Sequence, residues 1–268
     1  NTYGHIGTNP MPVKLANAIG RHFVDGIPEC LKAVRTNLRE GADFIKIASG
    51  LKGESRKFPI GMLTYSFDEI KAICDEAHRN YTIVASHCCS KEGIITSLKA
   101  GLDTIEHGTE FDEECANLTL KLDKILCPTA AISIKRPGVP AYSDEIRLYF
   151  NKGVQTRVQI AHEKGVKIAS SSDFSGGDHL GGAAMGKNAF DLQRLVECGL
   201  PPLDAIVSAT KIGAEAMMMG DQIGTLETGK LADLVVVNGN PLEDITMLQE
   251  ENRISMVLKG GEIVIKRS

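Results

Sequence analysis

The sequence predicts an α/β protein in which parallel strands alternate with helices and a small β unit ends the chain. Two observations carry that reading. From about Pro28 to Gly199, short apolar segments alternate with amphipathic helical stretches, and such alternation implies parallel strands joined by right-handed crossovers. After Ala205 the texture changes to glycines set around β-branched runs, the pattern of short strands joined by tight turns.

The elements follow in order. Strands are expected at 42–47, 81–86, 104–105, 125–127 and 166–169, each followed by a helical pattern. The clearest helix covers 66–79, where Ile70, Ile73, Cys74 and Ala77 fall at i, i+3, i+4 and i+7 on one face. Leu31, Val34 and Leu38 form a similar stripe before the first strand. A closed (β/α)8 barrel needs about eight such units, and the sequence offers five. An open doubly wound sheet tolerates five strands but carries a phosphate-binding glycine fingerprint in its first turn. Here Ser49-Gly50-Leu51-Lys52-Gly53 opens a loop towards Thr64 and enters no helix. The expectation is therefore an incomplete (β/α)8 TIM-type barrel of about five C-terminal units, preceded by strands that this chain does not contain.

Beyond the barrel, a helical stretch over 204–219 ends at Gly220, a suitable C′ residue. Leu234 to Val237 reads as a strand, and 254–258 and 262–265 read as a hairpin turning at Gly260-Gly261. The expected division is a partial hydrolase-type barrel over 1–219 and a β-sandwich piece over 220–268.

Composition narrows the function. A formal net charge of −4 offers no basic field for nucleic acid or an anionic membrane. No apolar run approaches the roughly 18 residues that span a bilayer. Seven cysteines fall in no paired spacing, which reads as free thiols in a reducing, cytoplasmic setting.

In a parallel barrel the chemistry sits at the C-terminal ends of the strands. Those ends supply Lys46, His87, His107, Thr129 and Asp173. Two imidazoles and a carboxylate suit zinc or a similar divalent ion. A lysine neutralised by burial reacts with carbon dioxide to give an anionic carbamate that can bridge two metal ions. Taken singly, each residue has a plainer reading. Either histidine can be a satisfied core residue, Lys46 can pair with a carboxylate, Asp173 can cap a helix or turn, and Thr129 is equally readable as structural. Together, four such residues in matching positions point to a site. His78 and His162 lie late in helices, Asp178 and His179 in a glycine-rich loop, and Met217 to Met219 in a helix; all read as structural.

Four segments and a tail carry a family resemblance. Phe44-Ile45-Lys46-Ile47, Ala85-Ser86-His87, Ile105-Glu106-His107-Gly108 and Ser172-Asp173-Phe174 resemble the metal-binding segments of the amidohydrolase superfamily. The tail Ile223-Gly224-Thr225-Leu226-Glu227-Thr228-Gly229-Lys230-Leu231-Ala232-Asp233-Leu234 is similar to its C-terminal signature. The nearest branch is imidazolonepropionase-like, with prolidase-like dipeptidases and carboxypeptidases. The resemblance implies a binuclear zinc enzyme that hydrolyses an amide bond with a metal-bound hydroxide. Lys46 would be the carboxylated bridging lysine, and His87 and His107 would hold the second metal. Asp173 would contact the first metal and serve as general base. The substrate side would include His5, in Tyr3-Gly4-His5, near a substrate carboxylate, with Thr129 and Cys89 in the pocket.

Three departures are visible. The first metal motif, a His-x-His pair, is absent. Cys89 stands where many relatives carry Tyr or His to stabilise an oxyanion, and a thiol is a poor donor. Phe174 replaces a small residue after the base. The leading expectation is a hydrolase of dipeptides or N-acyl amino acids. Its rivals are a cyclic amide hydrolase of the imidazolonepropionase kind and an inactive fragment or scaffold. The expected partners are a small-molecule substrate and either a second copy of the chain or the missing N-terminal portion.

Overall fold

Residues 5–7, 21–50, 63–131, 144–174 and 186–267 are described by the computed structural model. The chain divides into two units, residues 1–127 with 163–166, and residues 128–162 with 167–268.

In the first unit, the strands are β1 (His5–Gly7), β2 (Arg21–Phe23), β3 (Ile45–Gly50), β4 (Val84–Cys88), β5 (Thr104–His107) and β6 (Ile125–Cys127). They lie side by side in the order β2-β1-β3-β4-β5-β6, with parallel pairing throughout this set. Helices α1 (Gly26–Arg39), α2 (Phe67–Arg79), α3 (Lys91–Lys99) and α4 (Glu113–Lys121) accompany them. The two three-residue strands β1 and β2 are too short to leave a periodic signal, and the sequence reading did not anticipate them.

Ile45, Ile47, Ile105 and Leu126 are fully buried on these strands, which are too apolar to face water. Helix α2 buries Ile70, Ile73, Cys74 and Ala77, the predicted stripe. It begins with a capping box in which the Ser66 hydroxyl accepts from the Glu69 amide and Glu69 accepts from the Ser66 amide. On α1 the buried line is Cys30, Val34 and Asn37, one residue displaced from the expected Leu31–Val34–Leu38 stripe. Glu76 of α2, itself buried, ties the pair together by accepting from Arg35 of α1 at 2.9 and 3.2 Å.

Two further caps fix the segments that leave β4 and β5. Ser90 accepts from the Gly93 amide at 3.1 Å, and Asp112 accepts from the Cys115 amide at 3.0 Å. Each cap is worth about 1 kcal/mol. Each also sets where the chain turns after a strand whose end carries a candidate residue.

The second unit contains α5 (Asp144–Lys164, up to residue 162), β7 (Lys167–Ile168), α6 (Phe190–Glu197), α7 (Pro202–Ala209) and α8 (Lys211–Ala216), followed by β8 (Leu234–Val237), β9 (Ile254–Lys259) and β10 (Glu262–Lys266). The last three form an antiparallel sheet in the order β10-β9-β8. The predicted hairpin is present: Gly260 and Gly261 have φ of 59° and 87°, the positive values that a two-residue turn between antiparallel strands requires. The predicted helix over 204–219 differs. It breaks at Thr210 and ends at Ala216, and Met218, not Gly220, takes the left-handed turn, at φ 58°. Gly224 explains the tight return of the chain, because a Cβ there would lie 2.7 Å from the Ala214 side chain.

All seven cysteines are free and buried. Among the described residues no helix is long and apolar enough to cross a membrane.

Candidate active site

The first unit gathers three of the candidates at adjacent strands. Lys46 pairs with Ala85 and Ala48 with His87 across β3 and β4. His87 pairs with Glu106, and Cys88 with His107, across β4 and β5. His87 is the penultimate residue of β4 and His107 the last of β5, as strand-end reading requires. Lys46 is different: β3 continues past it to Gly50, so it lies near the start of the strand, not at its end. The polar Ser49 conceals that extension. Its hydroxyl is buried but satisfied by Ser86 and Ser97, each at 2.7 Å, and it lies 3.0 Å from the Cys88 thiol.

Side chains alternate along a strand, so Glu106 and His107 should leave opposite faces of β5. His87 shares its row with Glu106. Yet the His107 ring meets the His87 ring, with centroids 4.2 Å apart and planes at 66°. His107 has φ 71°, and this left-handed backbone interrupts the alternation. Gly108 follows at φ 62°, where a Cβ would come within 2.9 Å of Leu126; only glycine fits behind the turned histidine. Cys89 is buried with its sulfur 3.3 Å from His87 Nε2.

The second unit carries Thr129 and Asp173, at φ 49° and 53°. Among the described residues, six non-glycine residues have positive φ: Tyr81, His107, Asp123, Thr129, Asp173 and Met218. Tyr81, Asp123 and Met218 each follow a helix C-cap, an ordinary place for a left-handed residue. His107, Thr129 and Asp173 have no such explanation. They end or follow β5, β6 and β7, and all three are residues singled out by the sequence. Such conformations cost on the order of 1–3 kcal/mol each and cluster at functional sites.

Residues around Thr129 and Asp173 converge on one carboxylate. Asp191 of α6 has no solvent exposure. Its Oδ1 accepts from the Ala131 amide at 2.8 Å, and its Oδ2 accepts from the Ser171 amide and the Ser170 hydroxyl, both at 2.9 Å. Burial pushes its carboxyl up to about 6, against the pull of the hydrogen bonds from Ser170, Ala131 and Ser171. Ser171 Oγ in turn accepts from the Thr129 amide at 3.1 Å.

Sequence reasoning missed two residues. Glu106 shares the row of His87 and accepts from the Thr104 hydroxyl at 2.8 Å; its place next to His107 in the sequence was the available signal. Asp191 left no signal, because one acid in an amphipathic helix reads as part of a solvated face. His5 lies in β1, where its backbone pairs with Arg21. Asp178 and His179 lie outside the described residues.

Two neighbouring imidazoles suit one divalent ion, and a lysine carbamate would add an anionic oxygen ligand. Among the described residues, no group of three or more His, Cys, Asp or Glu side chains is placed to hold an ion. The histidine pair fits two positions of a metal site, and completing it requires Lys46 in modified form or ligands from outside these groups.

Parallel strands with histidine, threonine and aspartate at their C-terminal margins define an α/β protein of the incomplete (β/α)8-barrel class, with a small antiparallel sheet at its end. The chain belongs to the Amidohydrolase family, whose model matches residues 4–264. It is 31% identical over 252 residues to the ochratoxinase of Aspergillus niger, covering 90% of this chain and 50% of that protein. The chain thus spans about half the length of this curated relative. The crystal structure of a Xaa-Pro dipeptidase with bound methionine matches with a TM-score of 0.79 at 30% identity, over 97% of this chain and 66% of the other. A prolidase complexed with N-methylphosphonate-L-proline matches with a TM-score of 0.80 at 31% identity, over 99% and 65%.

Proposed function

We propose that the chain belongs to a metal-dependent hydrolase that cleaves an amide bond in a small substrate, a dipeptide or an N-acyl amino acid. The observation that carries this reading is the set of strained left-handed residues at His107, Thr129 and Asp173, which no helix end explains. The names of the related ochratoxinase, Xaa-Pro dipeptidase and prolidase support the substrate class.

In this reading His87, His107, Asp173 and Lys46 as a carbamate are the residues that would hold zinc. Bound zinc would lower the pKa of water to about 7 and polarise the scissile carbonyl. Asp173 takes the proton of the attacking water and returns it to the departing amine. Thr129 lines the substrate pocket, His5 receives a substrate carboxylate, and Cys89 occupies the oxyanion position with a weak donor. The barrel portion extends to residue 219, and 220–268 form the β-sandwich piece.

Replacing Asp173 by Asn tests the base. Hydrolysis of proline-containing dipeptides should fall by at least a hundredfold with the fold intact, and an unchanged rate removes Asp173 from the mechanism. Cyclic amides assayed in parallel separate a peptidase from an imidazolonepropionase-like enzyme.

A second reading is a chain that is inactive by itself. It expects association with a second copy or with further chain. Zinc per chain, measured by plasma mass spectrometry after purification with bicarbonate and without chelators, separates the two. About two ions, as in two-metal hydrolases, support the hydrolase, and none supports the inactive scaffold.

A further inference from the structure

We propose that Asp191 is a positioning residue, whose carboxylate holds in place both segments that carry Thr129 and Asp173. The inference rests on the reading of Asp173 as the base, and it assigns a task to a residue outside the expected metal and substrate set.

The argument starts from valence. An ionised carboxylate only accepts hydrogen bonds, and what surrounds Asp191 only needs acceptors. The Ala131 amide donates to one oxygen, and the Ser171 amide and Ser170 hydroxyl donate to the other. These donors belong to two stretches distant in sequence, one following β6 and one following β7. Ser171 extends the reach of Asp191, since its hydroxyl accepts from the Thr129 amide. A single side chain on α6 therefore fixes the backbone beside both left-handed residues, Thr129 and Asp173.

Strained backbone persists only where its flanks are over-determined. Thr129 is β-branched, a poor occupant of the left-handed region, and its own amide is held within this network. The segment before Asp173 is held at Ser170 from both sides: its hydroxyl donates to Asp191, and its amide donates to the Ser208 carbonyl at 3.1 Å. Asn at position 191 would keep the shape but present an NH2 group to the Ser171 and Ser170 donors, or to that of Ala131. A buried acid serving α6 alone would have no reason to collect donors from two other segments.

The test uses the full chain with Asp191→Asn, Asp173→Asn and the double variant. Three readouts are taken: exchange of the Thr129, Ala131 and Ser171 amides, zinc affinity by chelator competition, and kcat and KM on a dipeptide. In Asp191→Asn those amides should exchange at least tenfold faster, with distant amides unchanged. Zinc affinity should fall about 10- to 100-fold, the usual effect of losing a group that orients a ligand. The loss should appear in kcat and not in KM. Added to Asp173→Asn, the change should cost no further zinc affinity.

Unchanged amide exchange at Thr129 and Ser171 overturns the proposal. So does an equal loss of zinc affinity in the presence and absence of Asp173, which would mark a general structural role. If Asp173→Asn itself changes neither zinc binding nor turnover, the base assignment fails, while amide exchange still decides whether Asp191 holds the segments. Should Asp191→Asn not fold, Ser170→Ala removes one donor only and should shift the same amides in the same direction; no shift there counts against the proposal.

Discussion

His107 lies beside Cys88 in the ladder, yet its ring packs edge-on against that of His87, 4.2 Å away. A regular strand would send the two imidazoles to opposite faces. The left-handed backbone at His107 reverses that, and Gly108 behind it leaves room for the turn. Gly108→Ala therefore brings a Cβ against Leu126 in a backbone region that disfavours it. The expected loss is about 1–3 kcal/mol, read as a lower urea midpoint with an unchanged slope, together with weaker zinc binding. A variant as stable as the parent would mean that this turn is not tightly held.

The pairing of Cys89 with His87 Nε2 at 3.3 Å gives a second prediction. If the thiol is too weak a donor to stabilise a developing oxyanion, Cys89→Ala should change kcat by less than about tenfold. A true oxyanion donor costs on the order of 10²–10³. A loss in that range would assign Cys89 the role that Tyr or His is expected to play in relatives.

Glu76 sets a pH dependence whose sign can be worked out. Hydrogen bonds from Arg35 and then Arg79 hold its carboxyl at about 2, below the ordinary 4.5, against the opposing effect of burial. A depressed folded-state value means that the stabilisation is complete above about 4.5 and is lost as the pH falls towards 2. The arginine side chains are 46% and 64% exposed, so solvent screening limits the contribution to about 1 kcal/mol. Glu76→Gln should be less stable than the parent at neutral pH, and the two melting temperatures should converge on acidification. A gap that stays constant with pH would rule out ionisation as the source.

These residues also show what the sequence makes legible. Helix α2 and the hairpin at Gly260-Gly261 were readable because an amphipathic stripe and a glycine pair are local signals. The strand-end positions of His87 and His107 were readable because each closes a short apolar run. The length of β3 was not, because Ser49 looks like a loop residue until its hydroxyl is seen bonded to Ser86 and Ser97. A strand read as ending at Ile47 puts Lys46 at its end, whereas β3 runs on to Gly50. The reversal at His107 and the convergence on Asp191 were also hidden, since neither the sign of φ nor contacts between distant segments leave a mark in residue type.

Lys46 provides the last prediction. A carbamate on its amine is an anionic ligand that a small carboxylic acid can imitate once the side chain is removed. Lys46→Ala should lose both zinc and hydrolysis, and millimolar propionate should restore part of each. Lys46→Arg should lose both without rescue, because a guanidinium stays protonated and cannot accept carbon dioxide. Bicarbonate should raise zinc content in the parent chain and leave Lys46→Ala unchanged. If Lys46→Arg binds zinc as the parent does, the lysine is not a modified ligand. Its position within β3, short of the strand end, would then mark it as a charged residue of the sheet, with the metal held by His87, His107 and groups outside β3.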